Sequence, residues 1–301
     1  MVVLKRQRKR YTHPGQLELS LSRPKEQDRN RHLGGRSFYF FDFDDNVVFL
    51  STPIVLFHKI TEQEIKISSG EFARESKRIG KEGPFKDHYM NFDDETGSFR
   101  YFRDTDHSII DKLAGKKQSF VSDIEKALGQ PDYLWKAPSW NCFYHATFNQ
   151  RPLSVITARG HNDHTIKEGI DLMVKDGHLP VSPNYLSVFP VSNPETRKKF
   201  GDPDFKSSIP ELKRKAIRES VEQAIVQYGH NPHHRFGMSD DDQSNIELIT
   251  EEMRALKRKY SEMKFFVIQT FKDSYTKNEV LVTRTRKVRP SELGKSQLTL
   301  F

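Results

Sequence analysis

The chain of 301 residues carries 22 Phe and 10 Tyr, enough large apolar side chains to anchor a core, and this excludes global disorder. Its single cysteine, Cys142, excludes a disulfide scaffold or a cysteine zinc cluster, and no run reaches the roughly 18 apolar residues of a membrane span or forms a signal peptide, so a cytoplasmic protein with no membrane partner is expected. The formal net charge of +8 is unevenly spread: residues 1–36 hold ten Lys/Arg against three acids, residues 284–301 hold five against one, and the body between them is left at −3.

Residues 1–36, rich in Arg, Gln and Ser and without periodicity, read as a flexible basic arm. The continuous run Phe38, Tyr39, Phe40, Phe41 predicts a strand covered on both faces. Residues 47–67, rich in Val, Ile, Leu, Phe and Thr, predict one or two short strands paired as a hairpin, with Pro53 at a turn or an edge. Residues 68–149 are charged, aromatic and punctuated by glycine, with helical patterns over 109–113 and 120–128, and are set apart as an insertion. From residue 153 strands and helices alternate: strands over 153–156, 186–191, 235–238 and 265–271, and helices over 165–175, 209–228 and 246–260. Such alternation implies crossover connections, hence an α/β fold with a mainly parallel sheet. Ligands of these sheets sit at the carboxyl ends of the strands, so the residues that follow each apolar run are the functional candidates.

After the first run comes Asp42-Phe43-Asp44-Asp45-Asn46. Three carboxylates in four residues behind a buried strand raise one another's pKa unless a cation lies among them, and a divalent metal with oxygen ligands, magnesium where phosphate shares the site, removes that cost. An acidic turn explains the same residues if they are taken alone. The run over 153–156 ends in Thr157-Ala158-Arg159-Gly160, where a hydroxyl, adjacent amides and a glycine suit a phosphate oxygen, and where Thr157 equally suits a helix cap. The run over 235–238 ends in Ser239-Asp240-Asp241-Asp242, followed by Asn245. Two separate Asp clusters at equivalent strand ends are hard to explain as turns.

Together these residues resemble the haloacid dehalogenase (HAD) superfamily. Asp42-Phe43-Asp44-Asp45-Asn46-Val47 looks like its first motif, Val155-Ile156-Thr157-Ala158-Arg159-Gly160 like its second, and Asp240-Asp241 with Asn245 like one form of its fourth. Asp45 and Asn46 depart from the common Asp-x-Asp-Gly-Thr, adding a negative charge and replacing a hydroxyl. The resemblance implies a HAD-like Rossmannoid core formed by residues 37–67 and 150–283, with residues 68–149 as an inserted, mostly helical cap. It implies a magnesium-dependent phosphatase, a phosphoric monoester hydrolase, in which Asp42 attacks phosphorus and becomes an aspartyl-phosphate. Asp44 would serve as acid and base, Thr157 would bind the transferring phosphoryl group, and magnesium would be held by Asp42, Asp240, Asp241 and the Asp44 carbonyl.

The family's third motif is a lone lysine. In the helix over 209–228 the apolar residues Leu212, Ala216, Val221, Ile225 and Tyr228 mark the buried stripe. Lys213 flanks that stripe and is taken as the phosphate-binding cation, with Lys206 in the preceding loop as the alternative. The histidine groups His161/His164 and His230/His233/His234 lack the i, i+4 spacing of a zinc motif.

Gln297, Leu298, Thr299, Leu300 and Phe301 resemble the short peptide with which bacterial replication and repair proteins dock on the sliding clamp, Gln297, Leu298, Leu300 and Phe301 being the contacting residues. Basic ends on an acidic body add nucleic acid as a candidate partner and a phosphorylated nucleotide or nucleic-acid end as a candidate substrate. The alternative from another class is a non-catalytic HAD-like interaction protein linking nucleic acid and the clamp.

Overall fold

The computed structural model describes residues 24–271 and 274–288. The run at 38–41 forms β1 (Ser37–Phe41), which sits inside a seven-stranded sheet and is covered on both faces as its composition requires. Phe38 and Phe40 face one side and Tyr39 and Phe41 the other, the two-residue alternation of an extended chain.

After β1 the chain enters a small lobe built on a second sheet. Here β2 (Ile54–His58) pairs antiparallel with β3 (Glu64–Ile67), the hairpin the sequence predicts, and with β4 (His88–Tyr89) on its other edge. Pro53 immediately precedes β2, where its missing N–H costs no ladder bond. The helix α1 (Ser69–Glu75), opened by a Ser68/Glu71 capping box, closes the lobe around Ile54, Leu56 and Ile67. The short helices α2 (Ile109–Leu113), α3 (Ser119–Leu128), α4 (Asp132–Trp135) and α5 (Trp140–Phe148) follow.

The main sheet then builds outward from β1. On one side lie β5 (Leu153–Thr157) and β6 (Tyr185–Pro190), joined by α6 (Asp163–Lys175) and all parallel to β1. After α7 (Pro194–Lys199) and α8 (Ile209–Tyr228) the chain crosses to the other side of β1 and adds β7 (Arg235–Asp240), then α9 (Gln243–Lys259) and β8 (Lys264–Phe271), again parallel. The antiparallel strands β9 (Ser274–Val280) and β10 (Thr285–Lys287) finish that edge, giving the order β10-β9-β8-β7-β1-β5-β6. The direction of winding reverses at β1, so a crevice opens at the carboxyl ends of β1 and its neighbours.

One face of the sheet is covered by α8 and α9, with Leu212, Ile217, Ile249 and Met253 packed on Phe38, Phe40, Phe236 and Phe265. The other is covered by α3, α5 and α6, with Phe120, Phe143 and Ile166 packed on Phe41, Phe43 and Val155. Gly169 of α6 permits the close approach of α3, since a Cβ there would lie 2.4 Å from the Phe120 ring.

Several boundaries read from the sequence shift. The lobe around β2 and α1 is built on a small sheet and spans parts of both the expected core and the expected insertion, while residues 68–149 themselves hold α1 to α5 and, of the strands, only β4. From Ser119 onward the insertion supplies α3 and α5 to the main core, because Phe120, Ile124, Trp140 and Phe143 bury against the same sheet as Phe41. The basic arm is docked over residues 26–36: Asp28 pairs with Arg151 at 2.7 Å, Asn30 donates to the His233 carbonyl and the Arg36 amide to His234 Nδ1. The sheet also runs past residue 283, where β10 pairs with β9. Residues 1–23 and the clamp-type residues Gln297, Leu298, Leu300 and Phe301 lie outside the described residues. Among the described residues no helix is long and apolar enough to cross a membrane.

Candidate active site

Asp42 is the first residue past β1, and the backbone around it is held from several directions. Its amide donates to the Ser239 carbonyl of β7 at 2.9 Å. Asn46, fully buried, donates from Nδ2 to the Asp42 carbonyl and to Ser239 Oγ, both at 2.9 Å, while its Oδ1 accepts from Ser139 Oγ at 3.0 Å and Thr270 Oγ1 at 2.9 Å. One amide thus ties the loop after β1 to β7, β8 and the entry of α5, which explains why Asn serves where a hydroxyl alone would reach fewer partners. Asp45 turns the chain with φ at +57°, a left-handed conformation that Asp tolerates, and its carboxylate accepts from Ser69 Oγ at 2.8 Å in the lobe. Its charge is directed toward α1.

At the end of β7, Asp240 is fully buried. Its Oδ1 accepts from the Asp242 amide and Asn245 Nδ2, each at 3.0 Å, and its Oδ2 accepts from Lys213 Nζ at 2.8 Å. The same ammonium lies 3.2 Å from Asp42 Oδ1. Lys213, only 2% exposed, therefore bridges the two strand ends, whereas Lys206 is exposed and pairs with Asp204. Helical geometry explains the placement: Lys213 follows the buried Leu212 and precedes Ile217 by four residues, so its stem descends α8 into the crevice.

The carboxylates of Asp42, Asp240 and Asp241 offer oxygens that all lie within 4.8 Å of one another. Burial pushes the Asp42 carboxyl well up, Lys213 opposes this, and Asp240, Asp241 and Asp44 push further in the same direction. Asp241 is open to solvent at its surface, yet the protein packed around it and then Asp240 raise its carboxyl to about 7. Burial works against the Lys213 charge, but Asp240 and Asp42 more than offset it and hold the ammonium protonated. With all three converging carboxylates ionised, a single lysine leaves negative charge in excess. The donors are all hard oxygens with no nitrogen or sulfur among them, a set that fits magnesium. Among the described residues no histidine joins this group. His161 is buried with Nε2 2.9 Å from Ser119 Oγ, and burial followed by Arg159 lowers it to about 2; His234 is occupied by the Arg36 amide and the Gly229 carbonyl.

At the end of β5, Thr157 is buried and lies beside Asp44 rather than the three-carboxylate group, its hydroxyl 3.3 Å from Asp44 Oδ2. The residue that dominates this corner is Arg159, 1% exposed, which grips both oxygens of Asp44 at 2.7 to 3.1 Å. Its place two residues beyond the strand was the available signal, but an arginine in a loop reads as a solvated cation until tertiary structure buries it. Asn46 likewise stands in the sequence only as a departure from a pattern, and its buried contacts make it the residue that fixes the loop.

Comparison of the chain with protein-family models, with curated proteins and with solved structures finds no match in any of the three.

The carboxylate group makes stability depend on pH with a definite sign. The folded chain keeps a proton on Asp241 up to about pH 7, where the unfolded chain has released it near its ordinary value of 3.8. The folded state therefore binds more protons across that window, and stability falls as pH rises through it. In EDTA, the thermal midpoint is expected to drop between pH 5 and pH 8, and magnesium should restore it far more at pH 8 than at pH 5. A midpoint unchanged by magnesium at pH 8 would remove the metal assignment.

Proposed function

We propose that the chain is a magnesium-dependent phosphohydrolase that works through an aspartyl-phosphate on Asp42. The observation that carries this reading is the convergence of Asp42, Asp240 and Asp241 at the adjacent ends of two parallel strands, with Lys213 bridging Asp42 and Asp240. It is supported by the HAD-like order of these residues along the chain. Asp42 lies in the crevice where ligands of such sheets bind, with a fixed backbone, so its carboxylate is aimed rather than mobile.

In this reading Asp42, Asp240, Asp241 and the Asp44 carbonyl would hold the magnesium ion. When bound, it would offset the repulsion between the attacking carboxylate and the anionic phosphate. Lys213 adds a fixed positive charge beside the nucleophile, which favours the approach of phosphate and opposes the burial that raises the Asp42 carboxyl. Asp44 is the proton-transfer residue, and Thr157 supplies a hydroxyl to the same corner. The test is magnesium-dependent phosphate release across metabolites, nucleotides and phosphorylated oligonucleotides, lost in EDTA and in Asp42→Asn. No release from any of them would end the reading.

The partners proposed with this function belong to the chain ends: nucleic acid for the basic segments, and a sliding clamp for Gln297, Leu298, Leu300 and Phe301. Their support is the separation of charge between ends and body together with the terminal peptide itself. A labelled peptide of residues 296–301 is expected to bind a bacterial clamp saturably in a fluorescence titration. Failure to saturate would remove the clamp from the proposal.

A further inference from the structure

A hollow lies behind the active-site loop, on the sheet face that carries Tyr39 and Phe41. Strand register sets its floor. Tyr39, Gly237 and Phe266 stand side by side on β1, β7 and β8, and Phe41, Ser239, Ile268 and Lys277 form the next row across to β9. Gly237 leaves a gap between two rings, and a Cβ there would point at Ile268, 3.3 Å from its Cδ1. Glycine inside a strand marks a place where a ligand or another backbone approaches closely. Cys142 of α5 also lines the hollow, as do Ser139 and Ser239, whose hydroxyls are bonded to Asn46. The hollow therefore backs onto the loop that carries Asp42 and is not part of the crevice.

Phe266 is 5% exposed, yet it belongs to neither of the hydrophobic clusters that flank the sheet. What lies against it is charge: the central carbon of the Arg235 guanidinium and Lys277 Nζ are each 4.8 Å from the centre of its ring. Contacts of this kind repay only part of the cost of withdrawing two like charges from water. The acids whose charge reaches Arg235, Glu279 and Asp28, are paired with Arg286 at 2.6 Å and with Arg151 at 2.7 Å. Among the described residues no carboxylate is left to pair with Arg235 or Lys277. The protein packed around Lys277 lowers its ammonium to about 8, and Arg235 adds to the effect. Two half-buried cations at the edge of an apolar hollow are the electrostatic complement of an anion with an apolar body.

We propose that this hollow is a second ligand site, and that it takes a small aromatic anion, one ring bearing a carboxylate or a phosphate. The ring lies over Gly237 between Tyr39 and Phe266, and the head group meets Arg235 and Lys277, the first offering a planar fork and the second a point charge. The enclosed room is about 60 Å³, against roughly 150 Å³ for a cavity that takes benzene whole. One ring thus enters edge first, with its charged group outside at the rim where the cations stand. The site makes no use of the phosphohydrolase chemistry and stands apart from it.

Isothermal titration calorimetry of the full chain in EDTA, with benzoate and phenyl phosphate as probes and benzamide as the neutral control, tests the site. Without metal the acidic crevice repels both anions, so they report on the hollow. Saturable one-to-one binding of at least one anion is expected, about tenfold or more tighter than benzamide, and the tighter anion identifies the head group. Arg235→Met and Lys277→Met, which keep apolar stems against Phe266, should each weaken binding by about tenfold, the scale of one charge-assisted hydrogen bond. Gly237→Ala should weaken it as well, since it puts a methyl into the floor and asks only the flexible end of Ile268 to move. Absence of saturable binding by either anion overturns the inference, and so does benzamide binding as tightly as the anions, which marks a plain apolar patch. Binding unchanged in both methionine variants places the anion elsewhere and overturns it too. A dimer in sedimentation that binds no probe gives this face to a second copy of the chain, with the same outcome. The three variants and the wild-type comparison are independent, so a variant that does not fold leaves the inference exposed to the others.

Discussion

Asp42→Asn is expected to abolish phosphate release, by about 10⁴-fold or more, while leaving the chain at least as stable as the wild type when metal is absent. Both halves follow from the same contacts. The substitution keeps the shape of the side chain and the backbone bonds to Ser239 and Asn46, so the loop after β1 keeps its path. It removes the attacking oxygen anion and with it the covalent intermediate. It also removes one of three carboxylates that crowd within 4.8 Å, whose ionisation burial and mutual repulsion make costly. Lys213 retains its closer partner, Asp240 at 2.8 Å, so no buried cation is stranded. Steady-state phosphate assays paired with thermal melts in EDTA check the prediction. Lost activity with a midpoint equal to or above wild type places the defect in chemistry, in keeping with the strain stored where charges are concentrated for function. Retained activity would overturn the assignment of Asp42, and a midpoint several degrees lower would show that the carboxylate is structural.

The parts of this site that were legible in the sequence are those written in local pattern. The runs that became β1, β5 and β7 are apolar until they stop, and each stops in residues too polar to be buried without a purpose, so the strand ends declared themselves. Lys213 was readable because the 3.6-residue period of α8 places it beside the buried stripe, and the same period excludes Lys215, which reaches instead to the Phe200 carbonyl. Arg159 and Asn46 were not legible in this way. Their roles depend on partners 115 and 193 residues apart in sequence, which no local period encodes. Helix α5 was missed because Asn141 and His145 interrupt its apolar spacing, and His145 is nonetheless buried beside Asn149. The β8–β9 hairpin was missed because β9 presents Thr276, Lys277, Asn278 and Glu279 in succession, a polar stretch made a strand by pairing along its own full length with residues 265–271 of β8. The docking of residues 26–36 rests on single long-range bonds such as Asp28 to Arg151, which an Arg-rich composition conceals.

Lys213→Met is expected to destabilise the metal-free chain by about 3–5 kcal/mol at pH 8, the cost of leaving buried charge without its partner. Methionine matches the length of the lysine stem and can lie along Leu212 and Ile217, so the loss is electrostatic and not a cavity. The pH dependence separates this cause from a packing defect. With the ammonium gone, Asp42 and Asp240 no longer share a counter-charge, and a proton on Asp42 relieves the repulsion. Because Asp42 already holds its proton well above the ordinary carboxylate range, the deficit should shrink at pH 5 and be largest at pH 8. Urea unfolding in EDTA at the two pH values measures it, and an equal deficit at both would point to packing. Magnesium at pH 8 should recover part of the loss, since it supplies the positive charge that Lys213 provided. Lys213→Arg tests the remaining half of the role: it keeps the charge but must fit a planar fork into a space that admits an ammonium 2.8 Å from Asp240 and 3.2 Å from Asp42. Stability close to wild type with phosphate release still impaired would show that the ammonium serves the substrate as well as the two aspartates. Recovery of both stability and turnover would show that charge alone is what the crevice requires.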